Sequence, residues 1–199
     1  MTKVRPVKLI CRASVIFGIV VLAGCNTCEA DSSTPAEIPT AASGPAIIDD
    51  TPPARLTGGA GSLDELVTQF LEALTQKDKD RLRSLRITEE EYRDGIVPWN
   101  VEPGKPVQRI RREVVDYFWG TINGKSVVTE ASLLLRYGGK KLTLKNRTDQ
   151  GEIRYAGFKA TKRLRLHVAV EGEEEEQEIA TGSAAEVGGR FKFVSIQRD

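Results

Sequence analysis

The sequence has few of the residues that build covalent cross-links and metal sites. It contains three cysteines and one histidine, His167, among 199 residues. A protein zinc site usually takes four ligands of the Cys and His type. The composition therefore excludes a metal site of that type, and no metal and no cofactor are predicted.

Acidic residues are missing from the N-terminus until Glu29, whereas Lys3, Arg5, Lys8 and Arg12 are basic. Eleven uncharged and mostly apolar residues follow, over 13–23. A membrane-spanning helix needs about 20 such residues, so this run is too short to span a bilayer. A basic start, a short apolar run and small residues after it are typical of a secretory signal peptide.

The tetrapeptide Leu22-Ala23-Gly24-Cys25 that ends this run resembles the lipobox of bacterial lipoproteins. The resemblance implies that residues 1–24 are a signal peptide, removed before Cys25. It further implies acyl chains on the sulfur and the freed amine of Cys25, so the partner is a membrane, reached through covalent lipid. The alternative is an ordinary secretory signal with an incidental cysteine.

The same resemblance implies a location on the extracytoplasmic side of the cell envelope. Asn26 follows the cysteine, where an aspartate would signal retention in the inner membrane. In a Gram-negative cell this favours the periplasmic face of the outer membrane. Cys11 leaves with the signal and Cys25 carries lipid, so Cys28 remains alone and no disulfide is expected.

The charge of the processed chain argues against a nucleic-acid partner. Cleavage before Cys25 leaves 25 basic and 28 acidic residues, a net charge of −3 with His167 neutral. Nucleic-acid-binding domains carry a basic excess instead.

Residues 25–61 consist of the lipidated cysteine and a linker rich in Ser, Thr, Pro, Ala and Gly. Such a composition cannot bury enough apolar surface to offset the entropy cost of ordering, which predicts a disordered tether. Residues 62–199 are predicted to form a single globular domain.

Helical signals dominate the first half of this domain. Ser62 and Glu65 have the spacing of a capping box, and an apolar stripe with helical period follows them. A second helix is predicted from Asp78, and the capping-box spacing recurs at 88–91. Two more helices are predicted after Pro106 and over about 127–137, with a turn at 120–126 between them. The residues predicted to be their buried faces are Val107, Ile110, Val114, Phe118, Val127, Val128, Ala131, Leu134 and Leu135.

Strand signals dominate from Lys141 onwards. The pattern predicts a strand near 142–145, a long strand over 152–170 bent at Gly157, a return strand over 175–187 and a last strand over 190–197. We expect a tight hairpin at 171–172, in a register that places Arg165 opposite Glu178 and Leu164 opposite Ile179. Leu164 and its alternate neighbours then face the core.

Helices followed by antiparallel strands indicate an α+β domain. The order of the elements, ending in Gly-Arg-Phe-Lys-Phe over 189–193, resembles the nuclear transport factor two-like cone fold. That resemblance implies N-terminal helices packed against a curved antiparallel sheet, with a cone-like cavity between them. The helical sequence between about 100 and 138 departs from the family, many of whose members would already be in strands there.

Four side chains are candidates for ligand binding: Tyr92, Trp99, Trp119 and His167. The aromatic residues are equally suited to a hydrophobic core. His167 alternates with two arginines, which favours a solvated strand position over a general base. No nucleophile–base pair is recognisable, so no catalytic residue is predicted.

The sequence thus favours a lipid-anchored envelope protein that acts as a binding or scaffolding module for an envelope protein or a small apolar ligand. One alternative is an enzyme of the cone-fold isomerase or dehydratase kind, with acid–base residues in its cavity. Another is a structural envelope component. A deep pocket with a buried carboxylate beside a tyrosine or His167 would favour the enzyme. The oligomeric state stays open.

Overall fold

The computed structural model describes residues 56–107 and 109–197. The predicted signal peptide, Cys25 and most of the predicted tether lie outside the described residues. The end of the predicted tether, over 56–61, is instead part of the fold, since Leu56 and Ala60 are buried and Ala60 pairs with Phe191. The described chain is an α+β domain with one antiparallel sheet, as predicted. Its elements are α1 Leu63–Gln76, α2 Lys79–Ser84, a π-helix Glu91–Ile96, α3 Arg112–Tyr137, β1 Leu142–Thr148, β2 Glu152–Arg154, β3 Lys159–Val170, β4 Gln177–Val187 and β5 Arg190–Phe193.

The helix α1 begins and ends where its sequence predicts. The Ser62 side chain accepts a hydrogen bond from the Glu65 amide at 3.1 Å, and Lys77 closes the helix in the left-handed conformation. Its apolar stripe packs against β3, β4 and β5, and the rings of Phe70 and Phe193 meet edge to face at 5.3 Å. The packing of α1 against these strands forms the main hydrophobic core.

The prediction of two helices separated by a turn at 120–126 is wrong, because α3 runs unbroken from Arg112 to Tyr137. Gly120 and Gly124 lie within it, each in open space. A glycine inside a helix costs about 1 kcal/mol relative to alanine. The buried residues of α3 offset this cost through contacts that no local pattern reveals.

The predicted buried face of α3 is wrong at most of its positions, although Leu134 packs, partly buried, against the main core. Val128 is 68% exposed and Leu135 is 91% exposed, and Ile110, Val114, Phe118 and Val127 are exposed as well. The helix instead buries a side that contains polar residues: Val115, Ser126, Thr129, Glu130, Leu133 and Tyr137. Polar groups can be buried when hydrogen bonds satisfy them. The Ser126 hydroxyl, for example, accepts a hydrogen bond from the Ile196 amide at 3.1 Å.

The strands follow the order β1-β3-β4-β5, and β2 pairs with β3 beside β1. The predicted single strand over 152–170 is wrong, because the chain turns back between β2 and β3. The Tyr155 amide donates to the Phe158 carbonyl at 2.8 Å, and the two rings stack at 4.6 Å. Gly157 therefore lies in the turn between two strands and not at a bend within one strand.

The hairpin of β3 and β4 forms, but its register differs from the predicted one by two residues. Leu166 pairs with Ile179 and Arg165 with Ala180, because residues 171–176 make a longer connection than a tight turn. A shift of two keeps every side chain on its predicted face. Leu164 and Leu166 are fully buried, and Arg165 still reaches Glu178 diagonally at 2.9 Å.

A bulge interrupts β3 and β4 near their middles. Arg163 has φ 45° and Gly182 has φ 73°, and the pairing skips between Thr161 and Leu164. A β-carbon on Gly182 would lie 2.5 Å from the Ser195 carbonyl oxygen. The bulge thus gives the C-terminal segment room to pass close to β4.

Replacing Gly182 with alanine should therefore destabilise the domain by about 3 kcal/mol, since the left-handed conformation and the close approach both penalise a side chain. Urea unfolding measures the loss. Gly172→Ala is the control, because Gly172 has φ 82° but open space around it, and it should cost about 1 kcal/mol. Equal losses for the two variants would contradict the close-approach argument.

Candidate functional site

Three of the four predicted ligand-binding residues come together in a second hydrophobic cluster. Tyr92 is buried there, and Trp99 and Trp119 pack against it. The rings of Tyr92 and Trp119 lie 5.5 Å apart. The cluster joins the π-helix to α3 and to the sheet beyond the bulge, through Phe158, Ala160 and Val187.

The π-helix that carries Tyr92 is positioned by its first residues. The Glu91 amide donates to the Thr88 hydroxyl at 3.1 Å, and the Glu91 carboxylate accepts from the Thr88 amide at 2.7 Å, which completes the predicted capping box. The Val97 amide then bonds to the Tyr92 carbonyl, five residues back. Pro98 follows. Such wide turns are rare and often mark functional sites.

An open groove lies between this π-helix and the start of α3, and we call it the aromatic groove. It consists of two adjoining cavities of about 390 and 270 Å³, which share Val97, Ile110 and Val115. These volumes suit a small molecule or an acyl chain. The other described residues that line it are Tyr92, Arg93, Asp94, Ile96, Pro98, Trp99, Asn100, Val107, Arg109, Arg112 and Phe118.

Charged groups stand at the rim of the aromatic groove. Arg93 donates to Glu89 at 2.6 Å and to Asp116 at 2.7 Å, and its hydrogen bond to Asp116 is the main cause that raises the pKa of Arg93. Burial raises the pKa of Tyr92 above its ordinary value of 10.0, because the phenolate would lose hydration. The rim is therefore ionic and the wall between the two cavities is apolar.

The structure places His167 outside the aromatic groove. It lies on β3 opposite Glu178, with its Nε2 atom 4.0 Å from a carboxylate oxygen of that residue. His167 is partly exposed on the strand. It does not join the three aromatic candidates.

The sequence did not predict the role of Glu91 beyond its capping-box position. Its side chain is 6% exposed and accepts from Lys192 at 3.0 Å through each oxygen. The Thr57 amide adds another hydrogen bond at 2.5 Å. The capping-box spacing could have indicated that Glu91 is engaged, but Lys192 is 101 residues away.

A second buried ion pair lies nearby. Arg86 donates to Glu130 at 2.9 Å and to Asn123 at 2.7 Å, and both ionic side chains are 3% exposed. Both buried carboxylates thus have basic partners, and neither lines the aromatic groove. The carboxylate that does line it, Asp94, is exposed. The arrangement is suited to holding an apolar molecule rather than to proton transfer.

Over residues 56–107 and 109–197, no cluster of three His, Cys, Asp or Glu side chains could hold a metal ion. None of the helices in these ranges has the length and apolar character needed to cross a bilayer.

Comparisons with protein-family models, with curated proteins and with solved structures each returned no match to this chain.

Removing one partner of the Glu91–Lys192 pair should be costly, because it leaves a buried charge without its counter-ion. We expect Lys192→Met to lower the free energy of unfolding by about 3–5 kcal/mol. Lys159→Met is the control, since the Lys159–Glu186 pair is partly exposed and worth at most about 1 kcal/mol. The double variant Glu91→Gln, Lys192→Met should be more stable than Lys192→Met alone. Urea unfolding of all three tests this, and similar losses for Lys192→Met and Lys159→Met would contradict it.

Proposed function

We propose that this chain is a lipid-anchored cell-envelope protein whose domain binds a small apolar ligand in the aromatic groove. One observation carries the proposal: an open groove with apolar walls, formed where Trp99, Val97 and Val115 meet. A purely structural component would be expected to fill such a space with its own side chains. A groove of this kind, lined mostly by hydrophobic residues with a few charges at its rim, is the usual form of a ligand site.

The anchor in this proposal is the lipidated Cys25. Leu22-Ala23-Gly24 before it is the motif that supports cleavage and acylation. Two acyl chains already hold a protein stably on a bilayer, so three make the attachment effectively permanent. Export by the signal peptide would put the domain on the extracytoplasmic side, and Asn26 after the cysteine favours the periplasmic face of the outer membrane in a Gram-negative cell.

The proposal includes the cone-like arrangement, in which the sheet curves around the helices. The bulge at Arg163 and Gly182 supports it, because bulges bend and twist the strands that contain them. On one side of the bulge Leu164 and Leu166 pack towards α1, and on the other Ala160 and Ala185 pack into the cluster of Tyr92. The two halves of the sheet thus contribute to different cores.

Binding is favoured over catalysis by the state of the buried carboxylates. A cone-fold enzyme needs an acid or base that faces its cavity. Glu91 is instead bonded to Lys192 and to two backbone amides, and Glu130 to Arg86. We therefore prefer the binding hypothesis to the enzyme hypothesis.

A neutral fluorescent probe, N-phenyl-1-naphthylamine, should bind the aromatic groove. The protein for this test is the chain 25–199 with Cys25→Ser, since all contacts described above lie within 56–197. Ile110→Asp should weaken binding of the probe at least tenfold, because it places a charge on the wall shared by both cavities. Fluorescence titration measures the dissociation constant.

The matched control is Leu135→Asp, which puts the same charge on a 91% exposed residue of α3 outside the groove. It should leave probe binding unchanged. Equal weakening by both variants, or no probe binding at all, would count against the aromatic groove as a ligand site.

Lipidation is tested independently of the groove. Intact-mass analysis of the membrane fraction should find a chain that starts at Cys25 and carries acyl chains. Cys25→Ala should leave an unprocessed precursor, whereas Cys28→Ala should be processed normally. A soluble product with a free thiol at Cys25 would overturn the anchor.

A further inference from the structure

The aromatic groove has an uneven distribution of charge. Four charged side chains line its larger cavity, and three of them are arginines: Arg93, Arg109 and Arg112. The smaller cavity is lined by Tyr92, Ile96, Val97, Asn100, Ile110, Val115 and Phe118, none of which is charged. The groove is thus cationic at one end and apolar at the other.

The three arginines differ in how far they are already engaged. Arg93 is bonded to Glu89 and Asp116. Arg112 is 74% exposed, and its Nε atom lies 3.8 Å from a carboxylate oxygen of Asp116, which is too far for a hydrogen bond. Arg109 is exposed and forms no ion pair with any residue in the described ranges. Arg109 and Arg112 therefore have guanidinium donors to offer a ligand.

The remaining charge at this end does not cancel them. Asp94 is the one carboxylate that lines the larger cavity within the described residues, and it is exposed to solvent. It offsets one of the three arginines, so the charged groups on the lining of this cavity sum to +2. The guanidinium group also matches a carboxylate geometrically, because two parallel N–H donors can meet its two oxygens.

On these grounds, and resting on the proposed function of the aromatic groove, we propose that its ligand is a single-chain anionic amphiphile, a fatty acid. The carboxylate lies between Arg109 and Arg112 at the rim. The acyl chain runs past Val97, Ile110 and Val115 into the smaller cavity towards Phe118.

The test compares three probes with the same twelve-carbon tail: dodecanoate, dodecanol and dodecyltrimethylammonium, each kept below the concentration at which it aggregates. Isothermal titration calorimetry uses the chain 25–199 with Cys25→Ser. We expect dodecanoate to bind about tenfold more tightly than dodecanol, and the cation to bind most weakly. The preference for dodecanoate should shrink as sodium chloride is raised from 50 to 500 mM.

The arginines are tested by Arg109→Gln and by the double variant Arg109→Gln, Arg112→Gln. Each should reduce the affinity for dodecanoate towards that for dodecanol, while dodecanol binds as before. Lys145→Gln, an exposed charge change on β1, is the control and should change nothing. Unchanged dodecanol binding shows that the variants are folded.

The outcomes separate this inference from the groove itself. If all three probes bind equally, or if the preference survives in the double variant, the assignment to a fatty acid is overturned and the apolar ligand site stands. If none of the probes binds and N-phenyl-1-naphthylamine does not bind either, both proposals fail. Binding to anionic phosphatidylglycerol vesicles without any binding of dodecanoate would assign the arginines to a membrane surface and overturn the inference.

Discussion

The buried ion pair between Glu91 and Lys192 ties the π-helix to β5, beside the backbone hydrogen bonds that Ala60 and Ile87 make to the same strand. Lys192 belongs to β5, the last strand, while Glu91 opens the π-helix about a hundred residues earlier. The carboxylate also holds the amides of Thr57 and Thr88. A buried carboxylate is tolerated when its oxygens are hydrogen-bonded, and these three donors make four hydrogen bonds to the two oxygens. The start of the domain, the π-helix and β5 therefore meet at one side chain.

The aromatic groove depends on this arrangement indirectly. The π-helix directs Tyr92 into the cluster with Trp119 and places Val97 and Pro98 on the wall of the groove. The opposite wall is the first half of α3, whose later turns are held by the bonds of Arg86 to Glu130 and of Ser126 to Ile196. Both walls are thus secured by buried polar contacts, while the space between them is apolar. Polar contacts set the geometry here, and the hydrophobic walls supply the surface that a ligand would cover.

Local signals predicted the elements that local chemistry decides. Ser62 and Asp78 cap α1 and α2 through bonds to residues three positions away, so their sequence spacing was sufficient. The course of α3 was not predictable in this way, because the burial of Glu130 depends on Arg86, 44 residues distant. The register of β3 and β4 followed the alternation of the leucines but not the length of the acidic connection. For the candidate site, the sequence predicted the aromatic residues Tyr92, Trp99 and Trp119. Their assembly into one cluster, with Tyr92 and Trp99 on the lining of the groove, required the unbroken α3 and the π-helix.

The attachment of the chain at the outer edge of β5 has a mechanical consequence. Ala60 pairs with Phe191 through two backbone hydrogen bonds of 3.0 and 2.9 Å, and the Thr57 amide is bonded to Glu91. A tension applied to the chain before Leu56 is therefore transmitted first to the C-terminal strand and to the Glu91–Lys192 pair, and only afterwards to α1. With the proposed anchor at Cys25, a pull away from the membrane would load β5 through the first described residues of the domain. The resistance of the domain to such a pull, and the attachment of β5 to the start of the domain, then depend on the same few bonds.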